Sequence, residues 1–302
     1  MWAKKSIGYF LKTSQMKYWF IDQQRSSHGV QKMCRVLEVS RSGYYGWKRQ
    51  PQGKRQKDNE KILMEIRESH KNSNRAYGSP RITEDLQANG TKCGENRVAR
   101  LMKKNGIAGR AAKKFKATTD SKHSFPVAGN LLKQNFAAQK PNTVWVSDIT
   151  YIWTLEGWLY LAVILDLYSR QVVGWAMNDR LTSDFVIRAL YQAIGRRNPG
   201  PCCIFHSDRG VQYASTDFRN VLNSHGFIQS MSRKGNCYDN AVAESFFHTL
   251  KIEHVYDYRY ETRADAKQSI FDYIEMFYNR QRRHSALGYR SPVSFELEAM
   301  VD

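Results

Sequence analysis

Three carboxylates occupy positions in the sequence where a carboxylate could do chemistry. Asp148 lies within residues 144–153, a run that is otherwise rich in β-branched and aromatic residues and predicts a buried strand. Asp208 follows a second predicted strand, and Glu244 lies one turn into a predicted helix. A carboxylate within a buried strand is costly unless it is paired or binds a metal. The three residues are therefore candidates for a single site.

The chemistry that three carboxylates permit is metal-dependent phosphoryl transfer. A small number of oxygen ligands suits Mg²⁺, which keeps bound waters and accepts phosphate oxygens as further ligands. Two such ions about 4 Å apart can activate an attacking oxygen and stabilise a leaving oxygen. We therefore expect two Mg²⁺ ions, with Mn²⁺ as a substitute, held by Asp148, Asp208 and Glu244. The simpler alternatives are a turn or helix-capping role for Asp208 and an exposed helix position for Glu244.

Polar residues follow Glu244 at helical spacing. Asn240, His248 and Lys251 lie four residues before, four after and seven after it, so they share its helix face. We expect Asn240 and His248 to support the site and Lys251 to offer a charge to a DNA phosphate. The alternative is a solvated face. Glu253 lies on the same helix but outside this pattern, so Glu253→Gln is expected to remain active. His206 is expected to be a buried, hydrogen-bonded histidine.

Positive charge is concentrated in the first half of the chain. Residues 1–140 hold 30 Lys and Arg against 10 Asp and Glu, whereas residues 141–302 hold 17 against 18. Cationic side chains displace counterions from phosphates, so this imbalance indicates a polyanionic partner, DNA or RNA. The regular helical periodicity of the same region argues against a disordered basic tail.

The pattern of the basic half predicts two small helical modules. Residues 16–55 predict a helix-turn-helix, with helices over 31–37 and from Ser40, a predicted N-cap, and a linker over 51–55. Residues 56–108 predict three more helices, over about 59–70, from Pro80, and over 95–105. Cations on the outer faces of these helices are candidate DNA contacts: Arg41, Arg97, Arg100, Lys103 and Lys104. Residues 109–140 predict a basic linker.

The second half predicts an α/β core. Strands are predicted over 144–153, 158–167, 172–177, 202–206 and 228–231, with helices over 183–196, 215–225 and from Asp239 or Asn240. This order describes a mixed five-stranded sheet with helices on both faces, as in an RNase-H-like core over residues 141–260. Thr262 and Asp265 predict a capping box that starts a last helix, to about Arg282, within a C-terminal extension over 261–302.

The five cysteines form no Cys-x-x-Cys pair. We expect them to be free, buried thiols in a reducing cytosol, and no zinc-finger spacing is present. No run approaches 18 apolar residues, so no membrane span or membrane partner is expected.

Several motifs resemble those of a known family. Residues 144–151 (VWVSDITY), 206–213 (HSDRGVQY) and 239–247 (DNAVAESFF) resemble the three catalytic motifs of integrase-core transposases. Between Asp208 and Glu244 lie 35 residues, a spacing typical of this group, and Lys251 matches its basic residue seven positions after the glutamate. Tyr278, Asn279 and Arg280, with the residues that follow them to Phe295, resemble its C-terminal signature. The chain is therefore identified as an OrfB-type DDE transposase of the insertion-sequence-three family.

This resemblance implies a function and partners. It implies an RNase-H-like core, Mg²⁺ dependence, binding to terminal inverted repeats and target DNA, a homo-oligomer on DNA, and metal-dependent strand cleavage and transfer. Residues 1–15 resemble the tail of an upstream OrfA-type product that many members carry by frameshift fusion, with Met16 as the usual start. The alternatives are a DNA-binding regulator without catalysis and a structure-specific nuclease of the same fold.

Overall fold

The computed structural model describes residues 13–49, 54–110, 125–233 and 237–300. The chain divides into two compact units, Met1–Glu65 and Ile66–Asp302. Residues 1–12 of the expected tail of an upstream product lie outside the described part of the chain. The expected end of that tail, residue 15, falls within a helix. That helix begins at Ser14, where the Thr13 hydroxyl caps it by accepting a hydrogen bond from the Met16 N–H.

Three helices make up the described core of the first unit: α1 (Ser14–Gln24), α2 (Val30–Val36) and α3 (Arg41–Arg49). They enclose Ile21, Met33 and Tyr44, and the Tyr44 hydroxyl donates to Asp22. The predicted N-cap is confirmed, because the Ser40 hydroxyl accepts a hydrogen bond from the Gly43 N–H at 2.9 Å. The turn between α2 and α3 is thereby fixed.

Three further helices follow: α4 (Lys54–Asn72), α5 (Ser79–Ala88) and α6 (Glu95–Lys104). The linker predicted over 51–55 is wrong at Lys54 and Arg55, which form the first turn of α4, while residues 51–53 lie outside the described part. Pro80 stands at the start of α5, where its missing N–H costs nothing. Val98, Leu101 and Met102 form the buried stripe of α6, which leaves its basic residues on the outer side.

Five strands form one mixed sheet: β1 (Val144–Thr154), β2 (Gly157–Asp166), β3 (Val172–Asn178), β4 (Ile204–Ser207) and β5 (Ile228–Met231). Their order in the sheet is β3-β2-β1-β4-β5. β1, β2 and β3 form an antiparallel meander, whereas β4 and β5 run parallel to β1. The pairing of β1 with β4 ends at Val146 and His206. Beyond that point β1 continues in the ladder with β2.

Helices cover both faces of the sheet, as the sequence predicts. One face packs against α7 (Ser183–Arg197), α8 (Val211–Ala214) and α9 (Thr216–Ser224), around buried Trp145, Ile164 and Phe205. The other packs against α10 (Ala241–Glu253) and α11 (Arg263–Asp272), around Val146, Leu161 and Phe246. A short 3₁₀ turn over Cys237–Asn240 leads into α10, and a second covers Val255–Asp257.

The C-terminal part begins with the predicted capping box. The Thr262 side chain accepts from the Asp265 N–H, and the Asp265 carboxylate accepts from the Thr262 N–H. The expected helix to Arg282 is wrong beyond Asp272, because α11 passes into a π-helical segment over Tyr273–Tyr278. A 3₁₀ turn over Ser285–Leu287 and α12 (Pro292–Ala299) complete the described chain.

The described end of the expected basic linker, residues 125–140, contains no helix or strand but packs on the core. Leu132 is buried there, the Leu131 N–H donates to the Ser230 hydroxyl, and Asn130 donates to Asp239. Residues 111–124 lie outside the described part. The segment over 125–140 is therefore held against the sheet by specific contacts.

Two details differ from the sequence predictions. The fourth strand begins at Ile204 and not at Cys202, which has a positive φ of 71° and is exposed, so the expectation that all five thiols are buried is wrong for Cys202. The outer half of β1 is not buried on both faces, since Tyr151 and Trp153 are exposed. Among the described helices, none is long and apolar enough to cross a membrane.

Candidate active site

Asp148 lies on β1 just beyond the last residue that pairs with β4. Its neighbour Ser147 is fully buried; the Ser147 hydroxyl donates to the Val163 carbonyl across the ladder and contacts the Tyr213 hydroxyl at 2.8 Å. One Asp148 carboxylate oxygen accepts from the Ile149 N–H at 2.8 Å. Burial raises the pKa of Asp148 well above its ordinary value, and the charges of Asp208 and Glu244 raise it further.

Asp208 follows the last residue of β4, at the carboxyl end of that strand and within electrostatic range of Asp148. Its Oδ1 accepts a hydrogen bond from the Gly210 N–H at 2.9 Å, which closes a tight turn. A Cβ at Gly210 would lie 3.0 Å from that oxygen. The small residue at this position therefore lets the backbone bend around the carboxylate.

Glu244 lies in the first turn of α10, half-buried. Burial raises the pKa of its carboxyl group, and the charge of Asp208 raises it further. Asn240 immediately precedes α10 and is buried; its Nδ2 donates to the Ser147 carbonyl at 3.1 Å, which ties the start of the helix to β1. Its Oδ1 is buried and accepts no hydrogen bond from the described residues.

The three carboxylates thus come from β1, the end of β4 and the start of α10 and lie within electrostatic range of one another. Their carboxylate oxygens suit a hard divalent cation, because a bound cation would offset the cost of placing negative charges close together in a partly desolvated site. In the part of the chain that the structure describes, they are not drawn into a closed ligand cluster, and no other His, Cys, Asp or Glu group forms one.

Lys251 is buried and does not extend into solvent. Its ammonium nitrogen lies 5.0 Å from the centre of the Tyr151 ring. Burial lowers its pKa to about 8, while the negative charge of Asp148 acts in the opposite direction. His248 is half-buried on the same helix. Asn240 before α10 and the helix face that carries His248 and Lys251 therefore pack against the molecule, contrary to the alternative of a solvated stripe.

The candidate DNA contacts have different exposures. Arg100, Lys103 and Lys104 are exposed on α6, and Arg97 is half-buried there. Arg41 is exposed at the start of α3, in the first unit. Exposure alone does not test whether a residue contacts DNA, so these contacts stay predictions.

His206 is a hydrogen-bonded core histidine, as expected. It is fully buried; its Nδ1 lies 2.8 Å from the Ser230 hydroxyl and its Nε2 lies 3.0 Å from the Asp239 carbonyl. Burial lowers its pKa, which favours the neutral ring. His206 therefore connects β4, β5 and the segment that leads into α10.

Sequence reasoning missed Asp239. Its buried carboxylate accepts hydrogen bonds from the Arg233 backbone and guanidinium and from Asn130 and Gln134. The interactions with Arg233 outweigh burial and hold its pKa well below the usual range. Asp239 fixes the residues before α10 and so the position of Glu244. An aspartate just before a helix resembles an ordinary N-cap, which is why the sequence alone does not distinguish it.

Known proteins share these features. Two different models of an integrase core domain match the chain, one over residues 138–237 and the other over residues 244–300, and the model of an HTH-like domain matches residues 57–115. The transposase InsF for insertion sequence IS3A of Escherichia coli K12 is 42% identical over 283 residues, which cover 93% of this chain and 98% of that protein. The insertion element IS600 uncharacterized 31 kDa protein of Shigella sonnei is 47% identical over 263 residues, 87% of this chain and 97% of that protein. Among solved structures, the catalytic core domain of BIV integrase covers 53% of this chain and 97% of its own, at 20% identity and a TM-score of 0.41.

Proposed function

The chain belongs to the family of IS3 transposases that includes InsF, and on that premise we propose that it cuts and joins DNA strands at Asp148, Asp208 and Glu244. The observation that carries the proposal is that these three carboxylates, from β1, the carboxyl end of β4 and the start of α10, lie within electrostatic range of one another. Without a bound cation, three negative charges placed together in a partly desolvated site would cost free energy and stabilise nothing.

For this site we propose two Mg²⁺ ions, with Mn²⁺ as a substitute. Bound there, the metal would supply Lewis-acid stabilisation of the reacting phosphate oxygens. The chain's own contribution is to hold the ligands: the Ile149 N–H orients Asp148, the Gly210 N–H orients Asp208, and Asn240 anchors the helix of Glu244 to β1. Each carboxylate is thus positioned by a backbone or helix contact.

Residues beside the carboxylates support this role. Lys251 balances part of the charge of Asp148, and we propose that its ammonium approaches a DNA phosphate at the site. The buried Oδ1 of Asn240 is an acceptor suited to a water or ammonium donor at the same place. His248 lies one turn beyond Glu244 and lines the same helix face.

We propose that the helical modules recognise the terminal inverted repeats. Exposed Arg100, Lys103 and Lys104 follow one another on α6, Arg97 flanks them, and Arg41 begins the second helix of the helix-turn-helix. Such cations supply the sequence-independent part of DNA affinity. We further propose assembly as a homo-oligomer on DNA, with an OrfA-type product as an additional partner.

A strand-transfer assay separates this function from its alternatives. The substrate is an oligonucleotide duplex that carries the end of the element, with a second duplex as target. A transposase cleaves the end and joins it to the target with Mg²⁺ or Mn²⁺, and loses both activities in EDTA. A nuclease of the same fold would cleave without joined products, and a regulator would bind without cleavage. Full cleavage in EDTA would rule out the metal mechanism.

A further inference from the structure

An exposed row of aromatic side chains lies on the hairpin of β1 and β2. We name Tyr151, Trp153 and Trp158 the aromatic ladder. Tyr151 and Trp153 alternate along β1, and Trp158 on β2 pairs directly with Trp153, so the three side chains share one face. They are 38%, 57% and 43% exposed, respectively. Large aromatic side chains normally lie inside a fold, so this row is a candidate binding surface.

The rings of the ladder are packed against one another. The centroids of Tyr151 and Trp158 lie 5.0 Å apart at an interplanar angle of 83°, and those of Trp153 and Trp158 lie 4.8 Å apart at 75°. Edge-to-face contacts of this kind hold the rings in place. The ladder is therefore a preformed surface, and its side chains lose little conformational freedom when a ligand binds.

The inner end of the ladder adjoins the proposed active site. The Lys251 ammonium lies 5.0 Å from the centre of the Tyr151 ring and is within electrostatic range of Asp148. Tyr151 lies three residues beyond Asp148, so the two side chains leave opposite faces of β1, and Lys251 of α10 is the residue that connects them. A DNA strand whose phosphodiester lies at the carboxylates would therefore cross β1 beside Lys251 to reach the first ring.

The outer end of the ladder carries a second cation. Arg263, at the start of α11, donates from its Nε to the Trp158 carbonyl at 3.1 Å. Its Nη2 lies 3.1 Å from where a Cβ of Gly157 would stand, and its backbone N–H donates to Glu156. The guanidinium is thereby held beside the hairpin turn. Aromatic rings between cations are the pattern by which proteins bind single-stranded nucleic acid.

The size of the ladder argues against a protein partner. Fully exposed aromatic side chains present about 150–250 Å² each, so these three offer on the order of 300 Å² of ring surface. A stable interface between two proteins needs about 800 Å² from each partner. The row of rings with a cation at each end fits a strand of nucleotides better than the apolar face of a second copy.

We propose that the aromatic ladder stacks against unpaired bases of the DNA strand beside the phosphodiester held at Asp148, Asp208 and Glu244. The inference rests on the proposed function, because it takes the nearby carboxylates as the place where the DNA is cut. The rings accept any base, since every base has a π-face. Arg263 contacts a phosphate at the outer end of the stacked bases, whereas Lys251, buried beneath Tyr151, attracts the backbone by its charge alone.

The test measures DNA binding by the full chain in EDTA, so that it does not depend on cleavage. The probes are fluorescent single-stranded dT20 and a duplex of the same length, read by anisotropy. We expect Trp153→Ala to weaken dT20 binding about 5- to 150-fold, the range for loss of one stacked base, and to leave duplex binding within about twofold. Trp153→Phe keeps a ring and should restore most of the affinity. Tyr256→Ala is the matched control, because Tyr256 is also 57% exposed but lies outside the ladder.

Two results would overturn the proposal. Equal affinity of wild type and Trp153→Ala for dT20 would show that the ladder does not stack against bases. If the substitution also changes the sedimentation of the protein without DNA, the ladder is an interface between two copies of the chain. Equal weakening of dT20 and duplex binding means that the residue acts through general DNA affinity. Failure of the ladder is distinct from failure of the proposed function, which would appear as wild-type protein that binds dT20 through Trp153 but does not cleave in Mg²⁺.

Discussion

Glu253, at the end of α10, shows how a single side chain can connect three segments of the fold. Its carboxylate accepts from the Arg282 Nε and Nη2 at 2.6 and 2.7 Å, from Arg81 at 3.1 Å and from the Tyr273 hydroxyl at 3.2 Å. Glu253 and Arg282 are both buried. Glu253 is therefore a structural residue, which helical spacing does not indicate because its partners are distant in sequence, and the activity of Glu253→Gln stays a prediction.

We expect Glu253→Gln to lower the free energy of unfolding by about 3–5 kcal/mol, because it leaves the buried guanidinium of Arg282 without its counter-charge. Urea denaturation of the two proteins measures the difference. Glu261→Gln, at an exposed position just before α11, is the control and should change stability by no more than about 0.5 kcal/mol. Equal midpoints for wild type and Glu253→Gln would show that the pair contributes nothing.

The same pair gives stability a pH dependence. Burial alone would raise the pKa of Glu253, but the Arg282 hydrogen bonds and the charges of Arg282 and Arg81 outweigh it, so the pKa lies below 4.5. A depressed pKa stabilises the fold above the unfolded value, and this stabilisation is lost as the pH falls through the folded value. The gap in urea midpoint between wild type and Glu253→Gln should be full at neutral pH and shrink below pH 4.5. A gap that stays constant in acid would mean that charge is not its cause.

At the scale of elements, periodicity and capping account for what the sequence predicts. The three strands of the meander and the helix over 183–197 lie within about one residue of their expected bounds, because apolar runs and short turns are local signals. The Ser40 and Thr262 caps are likewise local. The π-helical segment after Asp272, the Asp239 contacts and the exposed outer half of β1 depend on tertiary partners, so no sequence pattern indicates them.

The same limit applies to the candidate site. The types and spacing of Asp148, Asp208 and Glu244 single them out in the sequence, and the structure brings them within electrostatic range of one another. Burial of Lys251 under Tyr151 could not be expected, since the spacing of its helix face is equally typical of solvated surface. Helical spacing predicts which residues share a helix face. Whether that face is solvated or buried depends on the element that packs against it.

The packing of α7 on β3 provides a test at this scale. A Cβ at Gly174 on β3 would lie 2.4 Å from the Ala189 carbonyl oxygen and 2.7 Å from the Ala193 Cβ. Gly174→Ala should therefore destabilise the protein by about 1–3 kcal/mol, because the helix must move away from the sheet. Gly195→Ala, on the exposed side of α7 with open space around it, should be neutral or stabilise by up to about 1 kcal/mol. Thermal unfolding compares the two, and a Gly174→Ala protein as stable as wild type would exclude the close contact.

For the whole molecule, the uneven charge is the feature that relates sequence to function. The basic residues of the first half include exposed Arg100, Lys103 and Lys104 on α6, whereas residues 141–302 are nearly neutral. Residues 66–110 belong to the same compact unit as the core, and Arg81 and Arg110 contact α10 there. DNA binding by these helices is therefore best tested in the full chain.

We expect joint replacement of Arg100, Lys103 and Lys104 by Ala to flatten the salt dependence of duplex binding. The log–log slope should fall in magnitude by roughly 0.9 for each phosphate that the variant no longer neutralises. Affinity for a random-sequence duplex, measured from about 50 to 200 mM salt, gives the slope. Lys267→Ala, an exposed lysine of α11, should leave it unchanged. An unaltered slope in the triple variant would place the DNA on another surface.

The most direct test of the proposed chemistry concerns the three carboxylates. Cleavage of an element-end duplex in Mg²⁺ and binding of the same duplex are measured side by side for Asp148→Asn, Asp208→Asn and Glu244→Gln. Each change keeps the shape of the side chain and removes one negative charge, so loss of about 4 kcal/mol of transition-state stabilisation should slow cleavage roughly a thousandfold. Binding should stay within a few-fold of wild type, because on the proposed function it depends mainly on the basic helices.

The matched controls are Asp217→Asn and Glu261→Gln, at exposed positions on α9 and just before α11, which should cut at the wild-type rate. We expect all three carboxylate variants to keep end binding and to have almost no cleavage activity. A Glu244→Gln protein that cleaves the end at a near wild-type rate would contradict the assignment of these carboxylates as the catalytic site.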